Sequence, residues 1–335
     1  MKGTVYLICG KICAGKTTYS HMLAKAKKAV LLSTDEITLA IFGQHIGEKH
    51  DEVVESVQNY LFEKSLEILE NGINVLLDWG FWLKEERDYA REFYTSRGIQ
   101  CEFHYIDVSH DTWMDNIAKR NQAVIENRTS AYYIDDNLAK KFAGIFEEPT
   151  RSEIDVWYTL DRLSGAQPPE LWDLYDSNRA LTGHTHIRGE KLPEGRYHMV
   201  VHVWITDGNG NYLISRRSLH LPAWAGKYET VGGSCIIGES SRDGALREVM
   251  EETGVNLSHS AGRIVFKEEC EKRGDNFLDV WLFEYNGEID LSKATTDEMM
   301  ELKWMNADEI RELFDKGMFC DTLKYFFDKI LGVKI

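Results

Sequence analysis

At 335 residues the chain is long for a single hydrophobic core, so two domains are expected. It is 43% hydrophobic and 28% charged, and its net charge of −16 excludes the basic footprint of a duplex-binding protein while leaving small anionic substrates open. The 6 cysteines form no C-x-x-C pair or zinc spacing, and no apolar stretch reaches the roughly 18 residues that span a bilayer, which reads as a reduced, cytoplasmic protein.

The first element is a short apolar run, residues 4–9, fit for a buried strand. It leads straight into Gly10-Lys-Ile-Cys-Ala-Gly15-Lys16-Thr17, then a helical stretch through Lys28. That is G-x-x-x-x-G-K-[ST] between strand and helix, the setting of a P-loop. Its glycines let the backbone amides of Gly10, Ala14, Gly15, Lys16, Thr17 and Thr18 wrap the phosphates of ATP, and the helix start adds partial positive charge. Lys16 is then placed to reach the β- and γ-phosphates, and the Thr17 hydroxyl to ligate Mg²⁺. Strand–helix alternation continues through strands at 29–34, 73–82 and 101–108, with helices after Asp35 and over 84–97. This predicts a parallel sheet with right-handed crossovers, its ligands beyond the carboxyl ends of the strands. Asp35 and Asp78 lie at such ends. Asp35 also stands in a capping box, Ser33 to Glu36, and Asp78 suits either a Mg²⁺ or substrate contact or a turn. Arg87 reads as a surface residue, and Trp79, Phe81 and Trp82 as core or cleft wall.

Between Leu160 and Leu171 the only Pro-Pro pair, with Gly and Ser, marks the joint. The expected division is 1–162, a linker at 163–170, and 171–335. In the second part Asp207-Gly-Asn-Gly210 predicts a hairpin across 198–218. Strand alternation turns only one of Arg216 and Arg217 into the cleft, where a planar guanidinium suits a substrate phosphate. After a glycine turn, a short helix presents Arg247, Glu248, Glu251 and Glu252 and stops at Gly254. At 3.6 residues per turn the three glutamates share one face, while Ala245, Leu246, Val249 and Met250 form the buried one. Carboxylates so close repel unless a cation sits among them, and hard oxygen donors suit Mg²⁺ or Mn²⁺. Arg247, four residues before Glu251, is placed to pair with it. Strands at 262–269, 278–286 and around Glu301–Met305 follow, then two amphipathic helices, the first capped by Asn306. The histidine pairs His184/His186 and His198/His202 read as structural, because no third ligand is placed by sequence.

The segment Gly233, Glu239, Arg247, Glu248, Val249, Glu251, Glu252, Gly254, Val255 resembles the Nudix box, G-x5-E-x7-R-E-U-x-E-E-x-G-U, without departure. The resemblance runs over about 168–330. Residues 171–183 look like the leading hairpin of the subgroup related to isopentenyl-diphosphate isomerase. It implies an α/β/α sandwich and metal-assisted cleavage of a diphosphate linked to another group, with Glu248, Glu251 and Glu252 as metal ligands and Glu251 and Glu252 also catalytic. It also implies a further ligand or base from the acidic stretch before the last strand, Glu298 or Glu301, with Glu298 taken as the candidate. The first 160 residues resemble P-loop kinases near the zeta-toxin-like ATPases. That resemblance implies Asp35 as the base that takes the acceptor hydroxyl's proton, and Arg120 and Arg128 in a lid over the transferred phosphate.

Together these give an α/β chain, a P-loop NTPase parallel sheet with flanking helices followed by a Nudix sandwich. The expected function is bifunctional: phosphoryl transfer from ATP to a small-molecule hydroxyl, and hydrolysis of a nucleotide-linked or other diphosphate. Three alternatives stand beside it: a kinase regulated by a ligand-binding Nudix part, isomerase activity in that part, and a nucleic-acid end kinase, which the acidic composition disfavours. The expected ligands are ATP, small phosphorylated or nucleotide-linked substrates and Mg²⁺ or Mn²⁺, with no membrane.

Overall fold

The computed structural model describes residues 2–42, 49–126, 128–129, 133–161, 167–268 and 275–332. Of the expected joint, residues 163–166 lie outside that set. Contacts divide the chain into two compact units, Met1–Leu171 with Gly183–Glu190, and Trp172–Thr182 with Lys191–Ile335.

The first unit follows the predicted alternation: β1 (Val5–Cys9), α1 (Lys16–Ala26), β2 (Ala29–Ser33), α2 (Thr34–Phe42), α3 (His50–Glu70), β3 (Asn74–Gly80), α4 (Lys84–Thr95), β4 (Cys101–Val108), α5 (His110–Ile125), α6 (Asp136–Ile145) and β5 (Val156–Leu160). The strands form one parallel sheet in the order β2-β3-β1-β4-β5. Every residue of β1 is buried, as a central strand covered on both faces requires. That position brings the loop after β1 to the carboxyl edge between β3 and β4. Trp79, Phe81 and Trp82 pack into the core with Phe62 and Phe93. Arg87 is not the surface residue expected. It is 2% exposed, its Nε donates to Glu153 Oε2 at 2.9 Å, and its Nη1 donates to the carbonyls of Phe81 and Trp82. A buried guanidinium is tolerable there because a carboxylate and two carbonyls replace its water.

β6 (Leu171–Tyr175) and β7 (Leu181–Ile187) pair with each other, as the leading hairpin predicted. The second unit then runs through β8 (His198–Thr206), β9 (Asn211–Arg217), β10 (Tyr228–Glu229), β11 (Val231–Ser234), α7 (Ser241–Thr253), β12 (Gly262–Glu268), β13 (Asn276–Glu284), β14 (Met299–Asn306) and α8 (Ala307–Asp315). Seven strands make a mixed sheet, β10-β9-β8-β13-β12, with β11 on β8 and β14 on β9. Period-2 alternation builds two cores. Val203, Leu213 and Phe277 face α7 with Ala245 and Val249, whereas the neighbours Trp204, Ile214 and Leu278 face the opposite side with Ile310 and Phe326. The sheet is thus covered on both faces, giving the α/β/α sandwich.

Two further local expectations fail. Met250 is 39% exposed, so only Ala245, Val249 and partly Leu246 anchor α7. The second C-terminal helix is replaced by a 3-10 turn at Asp321–Leu323 and a π turn at Phe326–Ile330, which buries the consecutive side chains Phe326 and Phe327. The cap on α8 forms as expected: Asn306 Oδ1 accepts from the amides of Asp308 and Glu309, and Glu309 accepts from the Asn306 amide.

Candidate active sites

In the first unit the loop from β1 to α1 turns on Gly15, whose φ of 97° is left-handed and free of strain only without a Cβ. Ala14 is buried, and its N–H donates to the Lys11 carbonyl at 3.2 Å. Thr17 and Thr18 lie exposed in the first turn of α1. Lys16 Nζ donates to the same Lys11 carbonyl at 2.8 Å. Burial pushes this ammonium down from its ordinary range, while the carboxylates of Asp78 and Asp35 oppose the shift. Asp78, at the end of β3, is 6% exposed. Burial raises its carboxyl, and Lys16 and a hydrogen bond from the Thr17 side chain hold the rise back. Asp35 is exposed in the first turn of α2, and its charge is felt by both Lys16 and Asp78. Half of its capping box forms, the Glu36 amide donating to Ser33 Oγ at 3.3 Å. Lys16, Thr17, Asp35 and Asp78 are therefore gathered at one edge of the sheet.

Two residues missed in the sequence fix α5 to this loop. Trp113 Nε1 donates to the Ile12 carbonyl at 2.7 Å, and Asn116 Nδ2 to the Cys13 carbonyl at 2.9 Å. One turn further on, Arg120 Nη1 stands 3.6 Å from Cys13 Sγ, which brings a guanidinium against the loop. Only helical spacing from Arg120 (113, 116, 120) signalled the other two. Arg128 is different: it pairs with Glu126 and is 63% exposed, with no described contact to the loop.

In the second unit the box folds around Arg247. Its Nε and Nη2 donate to the two oxygens of Glu239 at 2.7 and 3.0 Å, its Nη1 to Glu248 and Glu251 at 3.0 Å each, and Nη2 also to the Ser234 carbonyl. The expected pair with Glu251 thus forms within a wider fork that ties the glycine turn to α7. A Cβ on Gly233 would lie 2.1 Å from Glu248 Oε1, so any side chain there displaces that carboxylate from its place beside Arg247.

Glu252 is the outlying member. It is 4% exposed, and among the described residues its Oε2 has no hydrogen-bond partner. Burial, then the neighbouring charges of Glu248, Glu229 and Glu298, hold its carboxyl well above the usual range, against a smaller pull from Arg217. Glu298 is consequently beside the box acids, whereas Glu301 pairs with Lys303 and accepts from the Tyr228 hydroxyl. Arg217 is the arginine that faces the acids, while Arg216 donates to the Gly226 carbonyl and stacks on Tyr228. Glu229 belongs to the cluster as well and carried no sequence signal. It sits on a two-residue strand outside the box.

Among the described residues no three His, Cys, Asp or Glu side chains already converge as a cation cage. The donor set still fits a hard divalent ion. A buried carboxylate oxygen without a partner, crowded by three further carboxylates, is an arrangement that a cation relieves. The four histidines do not contribute: His184 meets Glu102, His186 the Glu190 carbonyl, His198 stacks on Trp172, and His202 meets Tyr325. The described cysteines are free, four of them buried; Cys270 lies outside the described residues. No helix among the described residues is long and apolar enough to cross a membrane.

A family model described as an AAA domain matches residues 5–133, and one described as a NUDIX domain matches residues 196–321. The chain is 35% identical over 159 residues to an uncharacterized Nudix hydrolase of Listeria monocytogenes, covering 47% of this chain and 90% of that one. A second uncharacterized Nudix hydrolase, of Listeria innocua, is 36% identical over the same length, covering 47% and 90%. Among solved structures, a sugar kinase of a Janibacter species is similar at a TM-score of 0.35 and 17% identity, covering 48% of this chain and 85% of that one.

Proposed function

Since the chain belongs to the Nudix hydrolase family and carries a P-loop kinase-like unit ahead of its Nudix domain, we propose that it is a bifunctional enzyme, a small-molecule kinase and a diphosphate hydrolase. In the hydrolase, Glu248, Glu251 and Glu252 hold Mg²⁺ or Mn²⁺, with Glu298 as a further donor. The bound ion supplies Lewis-acid polarisation of a phosphoryl oxygen and a water acidic enough to attack near neutral pH. Arg247 keeps Glu239, Glu248 and Glu251 in register, and Arg217 offers a guanidinium to the diphosphate. The substrate class is a nucleoside diphosphate linked to a second group, or another diphosphate. The observation that carries this reading is the buried, unpartnered Oε2 of Glu252 among three neighbouring carboxylates.

In the kinase, ATP phosphates lie in the Gly10–Thr18 cradle, Lys16 meets the β- and γ-phosphates, and Thr17 with Asp78 attends Mg²⁺. The acceptor oxygen bonds to the γ-phosphorus as the bond to the β-phosphate oxygen breaks. Asp35 takes the hydroxyl proton, ADP leaves, and Arg120 offsets charge on the transferred group. The gathering of Lys16, Thr17, Asp35 and Asp78 at one sheet edge supports this.

The test is a panel of nucleoside-diphosphate conjugates, and ATP with small hydroxyl acceptors, under Mg²⁺ or Mn²⁺. Lys16→Ala is expected to abolish phosphoryl transfer alone, and Glu252→Gln diphosphate cleavage alone. Cleavage by Glu252→Gln at the wild-type rate would overturn the hydrolase assignment.

A further inference from the structure

Glu229 lies outside every motif, yet its surroundings tie it to the hydrolytic site. β10 pairs with β9 so that Glu229 stands opposite Ser215 and Tyr228 opposite Arg216. Side chains two apart on a strand share a face, so Arg217 is the diagonal neighbour of Glu229. Arg217 Nη1 donates to Glu229 Oε1 at 2.7 Å, and the two side chains are 18% and 15% exposed. Arg217 Nε is engaged by the Ala223 carbonyl at 3.1 Å. These two bonds fix the guanidinium plane, and no described residue takes Nη2. Beyond the pair lie Glu252 and Glu298, whose charges both bear on Glu229 or Arg217. Among the described residues the second oxygen of Glu229 has only the Cys320 thiol, at 3.6 Å, a weak donor.

Left alone among Glu252 and Glu298, the Arg217 guanidinium would be drawn onto the acids that are to hold the cation. A carboxylate on its outer side prevents that. We infer that Glu229 is a positioning residue of the Nudix site: it holds Arg217 back from the box acids and presents the free edge of the guanidinium to a diphosphate oxygen. This deepens the hydrolase reading and rests on it. Glu229 does not touch substrate. It sets the direction of the group that does, so its contribution is expressed through Arg217 and vanishes when Arg217 is absent.

The experiment measures binding of inorganic pyrophosphate by calorimetry in Mg²⁺ to the full chain as wild type, Glu229→Ala, Glu229→Gln, Arg217→Ala and the Glu229→Ala/Arg217→Ala double variant. Thermal unfolding of each checks the fold. Glu229→Ala is expected to weaken binding on the order of ten-fold, as loss of an orienting partner does. Glu229→Gln, whose amide oxygen still accepts from Nη1, recovers part of that loss. The double variant binds no more weakly than Arg217→Ala alone, which a general structural defect would not produce. Unchanged binding by Glu229→Ala overturns the inference, and so does a full ten-fold loss added on top of Arg217→Ala. A wild type that binds no pyrophosphate overturns the hydrolase reading and this inference together.

Discussion

Glu252 is the most deeply buried acid of the Nudix box. Its pKa in the folded protein is raised above the value an unfolded chain gives it, chiefly by burial. Above the ordinary glutamate range the folded state therefore holds a proton that the unfolded state has lost. Stability of the metal-free protein must fall as pH rises through that window, from about 4.3 upward. Glu252→Gln removes this part of the slope. In chelator at pH 8 the variant should melt above wild type, by roughly 2–4 °C for each kcal/mol recovered, and the gap should close near pH 4. Mg²⁺ should raise the wild-type melting temperature at pH 8 and raise that of the variant less, because a ligand stabilises only the form that binds it. A variant no more stable than wild type at pH 8 in chelator would show that the carboxyl is not under strain.

At the scale of elements, α7 depends on how its two ends are fixed. Ser240 caps its start, its Oγ accepting from the Asp243 amide, and Gly254 closes its end at φ 71°. A Cβ on Gly254 would lie 2.7 Å from Lys293 Cβ and 2.9 Å from the Asp290 carbonyl oxygen. Gly98 also has a left-handed φ, 65°, but open space around it. Gly98→Ala should cost only the left-handed strain, roughly 1–2 kcal/mol. Gly254→Ala should lower the urea midpoint further and depress diphosphate cleavage with it, since α7 carries the box acids. Equal midpoints for the two variants would mean that the segment around Asp290 and Lys293 yields easily. The same element shows what the sequence could tell. The face shared by Glu248, Glu251 and Glu252 and the Arg247–Glu251 pair follow from spacing within one helix, and the β8–β9 hairpin follows from its turn. Glu229, the choice of Arg217 over Arg216, and the burial of Arg87 against Glu153 depend on strand register and on partners distant in sequence. No local pattern encodes them. The C-terminal stretch misled for a related reason: its apolar spacing suits a helix, but burying Phe326 and Phe327 together selected a π turn.

For the molecule as a whole, a kinase-like unit and a Nudix domain in one chain admit either two enzymes or one enzyme with a sensor. The proposed divalent-ion site, built on a buried acid of raised pKa, is more than a sensor needs, because recognition of a diphosphate is served by arginines and amides without it. Two catalytic units are therefore expected, and the outcome is separable by Glu251→Gln. That residue is 38% exposed and bonded to Arg247, so the exchange removes charge without opening the core. ATP turnover by this variant should stay within about two-fold of wild type, below the roughly five-fold that the smallest ordinary allosteric coupling gives. It should do so with and without each nucleoside-diphosphate conjugate, while cleavage of those conjugates is lost. A conjugate that changes ATP turnover more than five-fold in both proteins, and is cleaved by neither, would assign the Nudix domain to regulation and retire the second activity.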